Sequence, residues 1–170
     1  PPAEKLASSS SEVASPLRNL IPDQLGAAPN YFCTWAAQNF AQEKETSPRD
    51  HLTEALVFDQ PGWISNYYQA IRGDLLVVFD DGGDVPLSAD GSQERWVFGS
   101  LELNEKRFPS ITGNPAERLR KLNDKVRAAG WRGAGLWVSA QAVGDGHNGN
   151  FLNDADLERY WRERVRWSHQ

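Results

Sequence analysis

Residues 75–81 read Leu-Leu-Val-Val-Phe-Asp-Asp, an unbroken apolar run that ends in two carboxylates and is followed by Gly82 and Gly83. A stretch apolar at every position fits a strand buried on both faces, as in the parallel sheets of α/β proteins. In open α/β sheets and in barrels, ligands sit beyond the carboxyl ends of the strands. Asp80 and Asp81 fall at that end, so the pair is the first place to look for chemistry.

The rest of the chain supplies partners for such a strand. Tyr31-Phe32-Cys33-Thr34-Trp35 is aromatic and β-branched and predicts a first strand. Ser47-Pro48-Arg49-Asp50 joins a capping residue, a proline at the first helical position and an acid in the first turn. It predicts a helix with Leu52, Ala55 and Leu56 inward. A second short helix is expected over Trp63 to Ala70, ahead of the apolar run as strand two. Asn114-Pro115-Ala116-Glu117 opens the clearest helix, with Leu119, Leu122, Val126 and Ala129 on one face and Gly130 as its stop. Gly133 to Val138 reads as strand three, Asp145 to Asn150 as a polar loop, and Asn153 onward as a helix to Gln170 with Leu157, Trp161 and Val165 inward. The long stretch between Asp81 and Ile111 is rich in Gly, Asp and Ser, and within it Arg95–Phe98 pairs in expectation with Ser100–Leu103 as a hairpin. Residues 1–29, with a serine run and Pro16, Pro22 and Pro29, read as a tail or interdomain linker.

The order is β, α, β, α, β, α, with long loops after strands and short turns after helices. That asymmetry belongs to a (β/α)8 barrel with function on one face. The fold class expected is α/β, an incomplete (β/α)8 TIM barrel of about three βα units spanning residues 30–170. A whole barrel takes about 250 residues, and three units alone leave two strand edges unpaired and one sheet face uncovered. The chain has 170 residues, starts without Met and contains none, and so reads as an excerpt of a longer polypeptide.

Composition narrows the partners. Eighteen Lys plus Arg against 23 Asp plus Glu, without a basic stripe, give no electrostatic case for nucleic acid. No stretch approaches the roughly 20 apolar residues of a membrane span. One cysteine, Cys33, excludes an internal disulfide and a thiolate-clustered metal site but does not identify the compartment. Neither a zinc-spaced histidine pair, a calcium loop nor a phosphate-binding glycine motif occurs, so no cofactor and no metal are expected. A Cys33 nucleophile paired with His51, His147 or His169 is the weaker reading of that thiol. A mid-strand cysteine is more often a small core hydrophobe.

Several segments, taken in order, resemble one family, the clan D α-galactosidases and their raffinose-synthase relatives. Phe32-Cys33-Thr34-Trp35 looks like its first-strand motif, and Asp80-Asp81-Gly82 is similar to its Asp-Asp-Gly-Trp element on the second strand. Gly99-Ser100 through Arg107-Phe108-Pro109 resembles the segment before its second helix, and Gly135-Leu136-Trp137 its third strand. Gly83 stands where the family places tryptophan, a wall that Trp96 could supply, and Gln141 stands where many relatives carry an acid. The resemblance implies a retaining glycoside hydrolase acting on α-galactoside-like hexopyranosides. Its nucleophile and acid/base aspartates lie on the fourth and sixth strands, so no catalytic residue is expected within this chain.

A glycosidase needs two carboxyl groups across the scissile bond, about 5–5.5 Å apart for retention and ~6.5–9.5 Å for inversion. Asp80 and Asp81 are adjacent on a strand and point to opposite faces, so they do not fit that pair. They fit acceptors of sugar hydroxyl protons, where an ionised carboxylate makes the stronger bond. The alternative is that one binds sugar while the other caps a turn or pairs with Lys or Arg. Among seven tryptophans, Trp35 and Trp137 are the candidate pocket aromatics because they end strands, against plain core packing. Trp161 and Trp167 read as structural, and Asp84 either lines the pocket or caps the long loop, the loop being the favoured reading. The expected substrate-binding set is therefore Asp80, Asp81, Trp35 and Trp137, with a carbohydrate as partner and the oligomeric state and compartment open. The rival readings are a non-catalytic sugar-binding or transglycosylase relative, and a small self-contained α/β interaction domain.

Overall fold

The computed structural model of the chain describes residues 28–41, 47–59, 62–84, 100–138, 144–145, 150–151 and 153–169. Three short strands, β1 (Tyr31–Cys33), β2 (Leu76–Phe79) and β3 (Gly133–Leu136), form one parallel sheet in the order β1-β2-β3. The protein is mixed α/β, as the pattern predicts, with helices between the strands of this sheet. The interdomain-linker expectation for residues 1–29 and the strand-pairing residues Arg95–Phe98 lie almost wholly outside the described residues.

Register fixes which side chains share a face. Phe32, Val77 and Ala134 stand in one row, and Phe79 stands beside Leu136 in the next row on the same side. Phe32, Val77 and Phe79 are buried against Val57 of α2 (Glu54–Phe58), Trp63 and Ile64 of α3 (Trp63–Asn66), and Leu119, Leu122 and Val126 of α4 (Pro115–Ala128). On the other side Leu76 and Val78 are only half-buried and Tyr31 is 63% exposed. β2 therefore alternates instead of being buried on both faces, which corrects the expectation drawn from its continuous apolar run. An apolar side chain on the second face is what further strands or a second layer would cover; the described helices pack on the first.

Local chemistry sets the helix ends. Asn114 accepts the Glu117 amide while Glu117 reaches back to the Asn114 amide, a reciprocal capping box with proline at the first position. At the other end Trp131 N–H bonds Val126 O and Gly130 N–H bonds Arg127 O, with Gly130 at φ +91°. This is the left-handed cap that a glycine makes without a Cβ penalty. The indole of Trp131 closes it, buried and donating to Ile64 O at 2.9 Å.

Several local expectations are corrected. The first strand ends at Cys33, and Trp35 is the first residue of α1 (Trp35–Ala41). Thr34 turns the chain because its carbonyl accepts Gln38 N–H and its hydroxyl accepts Asp80 N–H. The Ser47 capping box forms, but it opens only one 3-10 turn, Pro48–His51, and Thr53 caps a separate α2. Its inward residues are Leu52, Glu54 and Val57, while Ala55 and Leu56 face out. The helix at Trp63 stops at Asn66, short of Ala70. The last helix, α5 (Asp154–Ser168), is capped by Asn153 as expected, yet Val165 is 51% exposed and its buried residue is Arg164. Ser100–Leu103 is not a strand, and the polar loop region holds a two-residue antiparallel bridge, β4 (Gly144–Asp145) with β5 (Asn150–Phe151).

Candidate functional site

Alternation along β2 sends Asp80 to the half-open face, with Val78, and Asp81 to the helix-covered face, with Phe79. The two carboxylates consequently meet different partners. Cys33, level with Val78 on β1, donates its thiol to Asp80 Oδ2 at 2.9 Å, and Asp81 N–H donates to Asp80 Oδ1 at 2.7 Å. Thr34 Oγ1 accepts Asp80 N–H at 2.9 Å, and Gln38, wholly buried, donates to Asp81 O at 2.8 Å and Pro48 O at 3.1 Å. The turn is thus fixed by α1 and by the 3-10 turn before α2.

Asp81 Oδ2 lies 2.8 Å from Arg49 Nε in an ion pair whose carboxylate is only 12% exposed. Asp81 Oδ1 is buried with no hydrogen-bond partner. Burial pushes the Asp81 carboxyl above its ordinary range; Arg49 opposes the rise, and Asp84 and Asp80 add to it. Gly82 follows at φ +125°, where a Cβ would overlap the Arg49 carbonyl oxygen. Only glycine lets the chain pass so close to that peptide.

Asp80 instead lines a narrow cleft with Gly83, Asp84, Leu101, Leu103 and Trp137, bounded on the core side by Phe79, Phe108 and Leu136. Trp137 directly follows β3 and is held there by its N–H to Phe79 O at 2.8 Å. Asp84 accepts Ser100 N–H at 2.6 Å, so it ties the two ends of the long loop together while also lining the cleft, the two roles the sequence leaves open for it. The cleft measures about 20 Å³, room for about one water or one hydroxyl group, against the ~300–1,000 Å³ of a full ligand pocket. Of the four residues expected to bind substrate, the structure gathers Asp80 and Trp137 at one cleft. Asp81 is turned into its ion pair, and Trp35 sits half-exposed at the start of α1.

Cys33 is not a buried core filler: it sits half-exposed on the open face against Asp80. Burial first, then the hydrogen bond to Asp80 and that carboxylate's charge, push its thiol pKa up, against a smaller pull from the Trp35 amide. A thiol held protonated is a poor nucleophile, and its partner is an acid, not a histidine. Among the described residues no group of three or more His, Cys, Asp or Glu could hold a metal ion, and no helix is long and apolar enough to cross a membrane.

No protein family, curated protein or solved structure matches the chain. The site therefore has to be read from its own geometry.

Two residues essential to the site escape sequence reasoning. Arg107 is buried to 0% side-chain exposure and donates to Arg49 O at 2.8 Å and Asp50 O at 3.1 Å, holding the peptide against which Gly82 packs. Arg164 of α5 holds Ser100 and Glu102, which flank the cleft residue Leu101. Neither stands out in the sequence, because Arg107 follows Asn104-Glu105-Lys106 and Arg164 lies among Arg162, Glu163 and Arg166.

Proposed function

We propose that the chain is the N-terminal part of a (β/α)8 carbohydrate-active domain, of the α-galactosidase type, and that it contributes the hydroxyl-binding wall of a hexopyranoside site. The observation that carries this reading is the placement of Asp80. Its carboxylate stands just past the carboxyl end of the central strand of a parallel sheet and lines a cleft at the top of the core together with Trp137, the residue after β3. A carboxylate accepts a sugar hydroxyl proton in a charge-assisted bond, and an indole face accepts the C–H face of a pyranose. A cleft of one-hydroxyl size fits a sugar that presents an edge to Asp80 while its ring rests outside, on Trp137.

In this scheme Asp81, paired with Arg49, fixes the turn and contributes to binding through its place next to Asp80. Asp84 is committed to Ser100, and no third carboxylate lines the cleft among the described residues. The retaining pair, about 5–5.5 Å apart, then comes from strands beyond β3, and the 170-residue chain alone hydrolyses nothing. The test is a titration of the purified chain with methyl α-D-galactopyranoside and a panel of other methyl hexopyranosides, followed by NMR. Saturable binding lost in Asp80→Asn is expected. Absence of saturable binding across the panel removes the sugar reading, and turnover of an aryl α-galactoside that is abolished by Asp81→Ala removes the assignment of catalysis to other strands.

One observation favours a second reading, a self-contained interaction domain. At the β1 edge, Phe40 is 92% exposed beside Tyr67 and Tyr68 on a groove of about 400 Å³. Cooperative folding as a monomer with no response to any sugar is the outcome that selects it.

A further inference from the structure

Leu101 lines the cleft at Asp80, and it is held there in an unusual way. Its φ is +63°, the left-handed region that a γ-branched side chain seldom occupies. The residues on either side explain how it stays. Ser100 N–H donates to Asp84 Oδ2 at 2.6 Å, Ser100 O accepts from Arg164 Nε at 2.6 Å, and Glu102 Oε1 accepts from Arg164 Nη2 at 2.5 Å. Arg164 is itself fixed: its side chain is 6% exposed, and its guanidinium stacks on the Tyr160 and Trp167 rings of the same helix. One buried guanidinium on α5 thus grips both neighbours of a strained leucine more than 60 residues earlier in the chain.

Leu101 also borders a second space. A groove of about 460 Å³ lies on its other side, lined by Leu119, Leu136, Val138 and Trp167. An isobutyl group that swings from the cleft into this groove leaves a backbone conformation that costs free energy. The groove is open to solvent and is also lined by Arg120, Asn123 and Ser168, so the relief of backbone strain is what offsets the apolar surface exposed in the exchange. The geometry points to Leu101 as the residue that sets the aperture of the Asp80–Trp137 cleft, and to Arg164 as the positioning residue that latches it. Leu101 in place admits a single hydroxyl; Leu101 withdrawn admits the substituted ring edge of a hexopyranoside. The identity of that ligand rests on the sugar reading, whereas the latch does not.

The test uses the whole chain labelled with 5-fluorotryptophan, with the Trp137 signal assigned through Trp137→Phe. Trp137 lines the cleft but is not among the rings that Arg164 stacks on, so a change in its solvent-induced ¹⁹F shift reports the aperture. Arg164→Gln and Leu101→Ala should each raise the solvent exposure of Trp137 while the buried Trp131 signal stays in place. Should Arg164→Gln fail to fold, Leu101→Ala still decides, because it removes the plug without touching the latch. An unchanged Trp137 signal in a folded Leu101→Ala chain overturns the proposal. Methyl α-D-galactopyranoside added to the same samples separates the two claims. Tighter binding by Leu101→Ala than by the parent supports both, and an opened cleft that binds no sugar leaves the latch standing and removes the sugar.

Discussion

Arg107→Met removes a charge that no solvent reaches and leaves its acceptors in place. Nη1 donates to the carbonyls of Arg49, Asp50 and Leu52 at 2.8, 3.1 and 3.4 Å, and Nη2 lies 3.4 Å from Asp50 Oδ1. The two shorter bonds carry most of the energy, since hydrogen bonds weaken beyond ~3.2 Å. Each buried acceptor stripped of its donor costs about 1–3 kcal/mol, and Asp50, 14% exposed, keeps some water. Methionine preserves the packing of the stem, so the expected loss is about 3–5 kcal/mol, the range for breaking a buried ion pair. That is a large share of the ~5–15 kcal/mol that holds a domain together, and at ~2–4 °C per kcal/mol it lowers Tm by roughly 10 °C. Urea denaturation followed by circular dichroism gives the number directly, with the slope checked for constancy. Arg107→Lys should recover little, because a compact ammonium cannot reach several carbonyls that a planar fork spans. The damage also extends to the site: Arg49 O is the atom Gly82 packs on, so the Gly82 amide should exchange faster. A loss below about 1 kcal/mol, with Gly82 exchange unchanged, refutes the claim that this guanidinium organises the turn.

Other consequences are as direct. Gly82→Ala meets both a positive φ and the Arg49 carbonyl, so it should cost roughly 2 kcal/mol or more, read from the urea midpoint. Asp80→Asn removes the carboxylate that helps hold the Cys33 thiol protonated; alkylation of this sole cysteine at mildly alkaline pH should accelerate. Glu54 is buried yet accepts from Ser110 N–H, the Ser110 hydroxyl and Lys125, and these partners outweigh the upward push of burial and hold its pKa below the ordinary 4.5. Its contribution is therefore complete above that value and lost as pH falls through the depressed one. The stability gap between the parent and Glu54→Gln should be open at neutral pH and close on acidification, as measured by urea midpoints along a pH series.

Much of the frame is legible in the chain because it is set by neighbours. Ser47, Asn114 and Asn153 accept amides within three residues of themselves, Gly130 caps its own helix, and the three apolar segments pair in sequence order. What reads wrongly depends on distant partners. Glu54 is buried in place of Ala55 and Leu56 because Ser110 and Lys125, 56 and 71 residues on, satisfy its carboxylate. Arg164 is buried in place of Val165 because Ser100 and Glu102 are brought beneath α5. Trp35 carries strand propensity, yet Thr34-Trp35-Ala36-Ala37-Gln38 contains a capping threonine and alanines, and hydrogen bonding to Asp80 and Gln38 settles the contest for helix. The division of labour between Asp80 and Asp81 follows from strand alternation in the sequence, but which face stays half-open does not.

The two edges of the sheet differ, and the barrel reading can be tried on that difference. A fourth strand would pair along the outer edge of β3, whose outward amides would be its donors. One of these is already taken: Asn123 of α4 accepts Ala134 N–H through Oδ1 at 2.9 Å. A side chain that satisfies an edge amide blunts the edge against further pairing, so a new strand can only join above Ala134, toward Leu136 and Val138, or must displace Asn123. In the 170-residue chain, Asn123→Ala leaves the Ala134 amide without its partner and should cost about 1–3 kcal/mol. In a longer polypeptide whose fourth strand pairs the full length of β3, the strand supplies the acceptor and the same substitution should cost under about 0.5 kcal/mol, the usual surface value. Equal and substantial losses in both settings would show that Asn123 keeps the edge closed, and that strand addition starts at the carboxyl end of β3, the end that carries Trp137.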